Sequence, residues 1–230
     1  MDRFPSTSWE LLAGAARPGD GWATARNEFA ERYYAAVRAY IAALTRGASQ
    51  CDDLTQRFFE TVVLSGRLLA RADREKGRFR PYLKQAIRNF LIDEHRHESR
   101  ATANEVPLDG VLGGWNAVAV DGAPSPDEEM LRAWARALVA MALSRLEQVC
   151  EEKHQHEHYE MFVRRYIADP DHPPSWREVG ESFGLDEKIA RSRTETAARQ
   201  FRSLVRQLIA SDIGAGEDID QELQAVLAVL

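Results

Sequence analysis

Phe29, Tyr33, Val37, Ile41 and Leu44 recur at steps of three and four residues, so the chain from about Ala23 to Thr45 gathers them on one side only if it is helical. The same step governs the next two segments. Leu54, Phe58 and Val62 predict the inward side of a second helix, for which Asp52 and Asp53 supply a cap and early negative charge. Pro81 suits a first helical turn and opens a third helix that buries Leu83, Ile87, Phe90 and Leu91. No run alternates apolar and polar residues as a half-buried strand would, and no hairpin turn stands between such runs. The core must then be built by packing helix on helix, which predicts an all-α fold of two small helical domains joined by a flexible linker.

Residues 99–126 hold four glycines, three prolines and scattered single apolar residues without period, the composition of that linker. It separates a first domain, residues 1–98, from a second, residues 127–210, with residues 211–230 as an acidic C-terminal tail helix. Ser125-Pro126-Asp127-Glu128 is a capping box that opens a long helix through Leu131, Trp134, Leu138, Met141 and Leu146. Phe162, Val163, Tyr166 and Ile167 mark a further helix, stopped by Pro170, Pro173 and Pro174. A second capping box, Ser175-Trp176-Arg177-Glu178, precedes Val179, Phe183 and a Gly184-Leu185 turn; Asp186 then caps a helix with Ile189 inward. A short helix, a glycine turn and a longer helix make a helix-turn-helix.

Charge narrows the function. The net charge of -6 argues against nucleic acid only if it is evenly spread, and it is not. Residues 71–100 carry nine Lys/Arg against five Asp/Glu, residues 188–206 carry six against Glu195 alone, and the last twenty hold five acids and no cation. In that tail Ile219, Leu223, Val226, Leu227 and Leu230 form an apolar stripe that either packs on the second domain or brings its acids to the basic helix as competitors of phosphate. No apolar run is long enough to span a bilayer and residues 1–10 lack a signal-peptide pattern, which places the chain in the cytoplasm. Cys51 and Cys150 have no cysteine nearby, against a disulfide framework. With Cys150, His154 and His158 fall at four-residue steps and can set three zinc ligands on one helical face, although the Glu, Lys and Gln among them equally suit a polar surface. No phosphate-binding glycine loop, nucleophile motif or paired-carboxylate signature is present, so neither an enzyme nor a cofactor or metal is expected.

Three segments, in order, resemble extracytoplasmic-function sigma factors, and among those the planctomycete type. The run from Cys51 through Asp52, Asp53, Leu54, Gln56, Arg57 and Phe58 to Phe59 is similar to the family's polymerase-docking helix. Gly77 to Leu83, continued by Asn89, Asp93 and Arg96, resembles the helix that opens and reads the minus-ten element, and Trp176 to Phe201 the minus-35 helix-turn-helix. Phe4 to Trp9 is similar to the planctomycete-type amino-terminal signature. The resemblance implies core RNA polymerase and promoter DNA as partners, an anti-sigma factor or regulatory kinase as controller, and no membrane. Asp52, Asp53, Gln56, Arg57 and Glu60 would face polymerase; Asp53, Gln56, Arg57 and Glu60 share an outward helical face. Arg80 would contact DNA, Lys84 and Arg88 would meet phosphates, Tyr82 would stack on a melted base, and Asn89, Asp93 and Arg96, a second polar stripe, would read exposed bases. In the recognition helix Lys188, Arg191, Ser192, Glu195, Thr196 and Arg199 would face duplex DNA, with Glu195 and Thr196 where the family is basic or neutral. A helix-turn-helix regulator that binds duplex without polymerase remains the alternative.

Overall fold

The computed structural model describes residues 11, 19–45, 49–65, 67–70, 79–102, 124–211 and 219–227. The Phe4 to Trp9 signature, Gly77, Arg78, most of the 99–126 segment, and Asp212, Glu217 and Asp218 lie outside them. Regular structure among the described residues is helical, without strands, and none of these helices is long and apolar enough to cross a membrane. The chain divides into two units, Met1–Ala137 with Ile209–Leu230, and Leu138–Leu208.

The first unit contains α1 (Trp22–Leu44), α2 (Cys51–Phe58), α3 (Arg67–Ala70), α4 (Phe79–Thr102), the start of α5 (Pro126–Glu152) and, at the end of the chain, α9 (Ile219–Leu227). Phe29, Tyr33, Val37, Ile41 and Leu44 are all buried, as their spacing requires. The N-cap of α2 is Gln50, without a side-chain cap bond; Asp52 and Asp53 instead lie within the first turn, where exposed N–H groups favour negative charge. From Phe59 to Val63 the helix widens into a π turn. That extra residue advances the register by one, so Val63 is fully buried in the place that a regular helix gives to Val62, and Val62 is half-buried.

Rings fill the centre of this unit. Phe79 lies edge-on to Phe29 at 5.9 Å and 5.0 Å from Tyr33, while Phe90 meets Phe58 at 5.5 Å. Together with Leu83, Ile87 and Leu91 these residues bury one side of α4, at about 1.5–3 kcal/mol for each fully buried side chain. A polar tie joins distant parts of the chain: Arg32, 2 % exposed, donates to Ser211 Oγ at 2.8 Å and pairs with Glu28 at 3.5 Å.

The second unit contains the rest of α5, then α6 (His156–Tyr166), α7 (Trp176–Ser182) and α8 (Glu187–Ala210) as far as Leu208. Both capping boxes form: the Glu128 N–H donates to Ser125 Oγ at 3.2 Å and the Glu178 N–H to Ser175 Oγ at 3.3 Å, each glutamate accepting from the serine N–H in return. The buried seam of α5 is Met130, Trp134, Leu138, Ala142, Leu146 and Cys150, while Leu131 and Met141 are half-buried. The helix ends at Glu152, and His154 takes a left-handed conformation (φ 56°) before α6 begins at His156. Cys150, His154 and His158 therefore sit on a helix, a turn and the next helix, not on one helical face.

Met161 of α6, Val179 of α7 and Ala190 of α8 form a small core, joined by Phe183 and Leu185. Ile189 is a correction: it is 42 % exposed. Asp186 caps the helix through the Ile189 N–H at 2.9 Å, and the inward stripe of α8 then runs Ala190, Thr194, Ala197 and Ala198. Ile189 stands one residue, and so about a quarter turn, off that stripe. The turn uses two glycines differently. Gly184 is left-handed (φ 67°), and a Cβ on Gly180 would lie 2.7 Å from the Leu185 carbonyl oxygen.

Gly184→Ala should cost about 1–2 kcal/mol through its left-handed backbone, and Gly180→Ala about 1–3 kcal/mol by forcing the turn away from α7. Urea unfolding of the full chain, followed by a probe in residues 138–208, would show both; an unchanged midpoint for Gly180→Ala would contradict the close approach.

Candidate nucleic-acid interface

With Phe79, Leu83, Ile87, Phe90 and Leu91 turned inward, α4 presents two polar flanks. Tyr82, Asn89 and Asp93 share a groove of about 420 Å³ with Thr61, Arg67, Leu68, Gln85, Glu94 and His97 among its walls. The Tyr82 hydroxyl donates to the Leu68 carbonyl, which fixes the ring at the groove edge. The Asn89 side-chain oxygen accepts from Gln85 at 3.0 Å, leaving its amide nitrogen as a donor. Asp93 is exposed and pairs loosely with Arg96 at 3.8 Å; Arg96 itself is not part of the groove wall. A carboxamide, a carboxylate and an aromatic edge in one concavity can bind a flat heterocycle carrying both donors and acceptors.

The other flank is the cationic stripe Arg80, Lys84 and Arg88, at four-residue steps. All three are engaged within the unit. The Arg80 guanidinium lies 4.1 Å over the Trp134 ring, Lys84 Nζ is 3.0 Å from Asp127, and Arg88 Nε donates to the Tyr40 hydroxyl at 2.7 Å. Burial pushes the Tyr40 hydroxyl pKa up, against the opposing pull of Arg88. The two stripes read along α4 thus lie on two surfaces, with Arg96 outside the groove.

On α2 and the turn after it, Asp53, Gln56 and Glu60 are exposed, with Gln56 donating to Glu60 at 3.2 Å. Arg57 is half-buried and reaches both Asp53, at 3.9 Å, and Glu94 of α4. Asp52 pairs with Arg38 of α1 at 2.5 Å, and that hydrogen bond holds its carboxyl below the usual carboxylate range.

In the second unit Lys188, Arg191, Ser192, Glu195, Thr196 and Arg199 lie along α8, Arg191 and Glu195 well exposed and Thr196 and Arg199 on the same solvent side. They are also bonded to one another. Arg191 Nε donates to Glu195 at 2.8 Å, Thr196 to the Ser192 carbonyl at 2.9 Å, and Arg199 to Thr196 at 3.2 Å. Arg193 leaves this face and pairs with Glu157 of α6 at 2.6 Å. His154, His156 and His158 line a shallow concavity with Glu151, Glu157 and Arg193; burial, aided by Arg193, lowers the His158 pKa. Among the described residues no group of three or more His, Cys, Asp or Glu is arranged to hold a metal ion.

Sequence reasoning missed Gln85 and His97 in the groove. Both continue the stripe through Asn89 and Asp93 at four-residue steps, so the signal was present. Arg67 reaches the groove from α3, and no periodicity on α4 could have found it.

Since Asp52 is held ionised in the fold, its pair with Arg38 is present above the ordinary carboxylate range and is lost as pH falls through the lowered folded value. A side-chain NMR titration should place the Asp52 midpoint below that of ordinary aspartates, and Arg38→Gln should return it upward. A midpoint unmoved by Arg38→Gln would rule out the pairing.

Residues 29–101 match the family model for sigma-70 region 2, which covers α1 to α4 with both flanks just described. Neither the curated proteins nor the solved structures give a match to the chain. The first unit therefore carries a sigma-70 region 2 domain, which supports a sigma factor acting with RNA polymerase in promoter recognition and melting.

Proposed function

We propose that the protein is an alternative sigma factor of the extracytoplasmic-function, planctomycete type. In this reading residues 1–98 are region 2, residues 127–210 are a region 4-like helix-turn-helix, and residues 99–126 link them. The observation that carries it is the region 2 match over residues 29–101 in a chain that continues into a helix-turn-helix with an exposed polar α8.

The chemistry follows from the two surfaces. Melted bases enter the groove beside Tyr82, where the Asn89 amide donates to base acceptors and Asp93 accepts from exocyclic amino groups. Binding only the unpaired form shifts the closed-to-open equilibrium of the promoter. Along α8, Arg191 and Arg199 meet phosphate or guanine and Glu195 accepts from a cytosine amino group, each first leaving its partner within the helix. Asp53, Gln56 and Glu60 dock on core polymerase, with an anti-sigma factor or regulatory kinase as controller. The protein does no covalent chemistry itself.

Pull-down with core polymerase, followed by transcription from the chain's own upstream region, tests the assignment. Asp53→Lys with Glu60→Lys should weaken core binding while helicity is kept. Tight binding to a palindromic duplex with no affinity for core polymerase would instead establish a free-standing regulator.

The two surfaces should also fail separately. Arg191→Ala and Arg199→Ala should weaken duplex binding and each lower the salt slope by about one, whereas Asn89→Ala and Asp93→Ala should impair opening of a promoter already bound. Loss of duplex binding with normal opening in the Asn89 and Asp93 variants would reverse the assignment.

A further inference from the structure

We infer that the start of α5 is an intramolecular competitor of nucleic acid for the cationic stripe of α4. The inference rests on the proposed reading as a sigma factor, whose resemblance implies that Lys84 and Arg88 meet phosphates. Arg80, Lys84 and Arg88 follow one another at four-residue steps, and groups of their own chain hold all three. Two of those groups, Asp127 and Trp134, stand two turns apart on α5 and so project from the same side of it. Trp134 meets Arg80 and Asp127 meets Lys84, so the two helices run in opposite directions along the contact. Asp127 also reaches the Tyr40 hydroxyl, which accepts from Arg88. One carboxylate therefore stands at the middle of the stripe, where contact with a nucleic-acid backbone would place a phosphate.

The components differ in strength. Trp134 is fully buried, and Met130 is 3 % exposed, so together they hold the start of α5 in place by burial. The Asp127 side chain is 52 % exposed and Lys84 30 %, so this ion pair is the accessible, exchangeable part of the contact. A carboxylate and a phosphate compete for the charge of the same ammonium group, and Asp127 both takes up one of its donors and repels an approaching anion. Trp134 covers one face of the Arg80 guanidinium at the same time. Backbone binding along the stripe requires the start of α5 to yield, and any partner that draws residues 126–137 away uncovers the stripe.

Asp127→Asn provides the test, because it removes the competing charge from an exposed position and leaves Trp134 buried. Glu129→Gln is its control: it makes the same charge change two residues along α5, where Glu129 pairs with Arg132 of its own helix. Affinity is measured on the full chain with a labelled single-stranded DNA of about 20 nucleotides at low salt, where phosphate contacts are strongest. Arg191→Ala and Arg199→Ala are present throughout so that α8 does not mask the first unit. Asp127→Asn should bind about two- to fivefold more tightly, as expected for removal of one exposed ion pair; Glu129→Gln should gain less, and Lys84→Ala should abolish the Asp127→Asn gain. Backbone amide exchange in residues 126–137 should quicken when DNA saturates the protein. Equal gains from Asp127→Asn and Glu129→Gln would reduce the effect to net charge and overturn the inference, as would unchanged exchange in residues 126–137. If Lys84→Ala and Arg88→Ala bind like their parents, the phosphate-binding role of the stripe itself fails. If they bind weakly while Asp127→Asn gains nothing, only the competition fails.

Discussion

Burial of Phe79, Leu83, Ile87 and Phe90 against the rings of α1 and α2 sets the rotation of α4 about its own axis, and little else in the first unit is free once that is done. A helix has one azimuth, so placing four side chains inward also places every other side chain. Tyr82, Asn89 and Asp93 fall on the side of α3 and the π turn, and Arg80, Lys84 and Arg88 on the side of α5. The π turn is part of the same constraint. By adding a residue at Phe59 it carries Val63 into the core, and it brings Thr61 and Val62 to the wall opposite Asn89. Removing Phe58 or Phe90 would be felt in the groove as rotation as well as lost packing, with a stability cost of about 3–5 kcal/mol for truncation to alanine.

Electrostatics works by exchange in this chain. It is acidic overall, and its basic surfaces already hold counter-charges or acceptors of their own: Glu195 on Arg191, Thr196 on Arg199, Asp127 on Lys84. A phosphate approaching any of them would have to displace a protein group as well as a condensed ion. The affinity of such a surface is set by differences between acceptors, and a tally of its cations overstates it.

Most of the fold was legible because helices announce their inward faces. The five apolar residues of α1, the inward set of α4 and both serine–glutamate caps are where their spacing puts them. The failures share one cause, since each depends on register and not on pattern. A π turn is invisible to a rule of threes and fours, which points to Val62 in place of Val63. Ile189 is the bulkier neighbour of Ala190, yet it is the Ala190 methyl that packs with Met161 and Val179, and Ile189 stands about a quarter turn away. The histidine spacing suggests one continuous face, which the turn at His154 breaks. For the site, two separate polar stripes of α4 were readable from spacing, but what each of them faces was not. Those neighbours come from α3 and α5, which lie outside the period of α4.

Arg32 and Ser211 are 179 residues apart in sequence and joined by a hydrogen bond within one unit, and that unit is discontinuous in the chain. On the ribosome the consequence is temporal. Residues up to Ala137 emerge first, and the contiguous unit Leu138–Leu208 is complete as soon as its last helix clears the exit tunnel. The first unit must hold a nearly buried guanidinium without its hydroxyl acceptor until Ser211 is made, after the whole of the second unit. A nascent chain stalled before that point has one finished unit and one unfinished one, and the unfinished one is the unit that carries the region 2 groove.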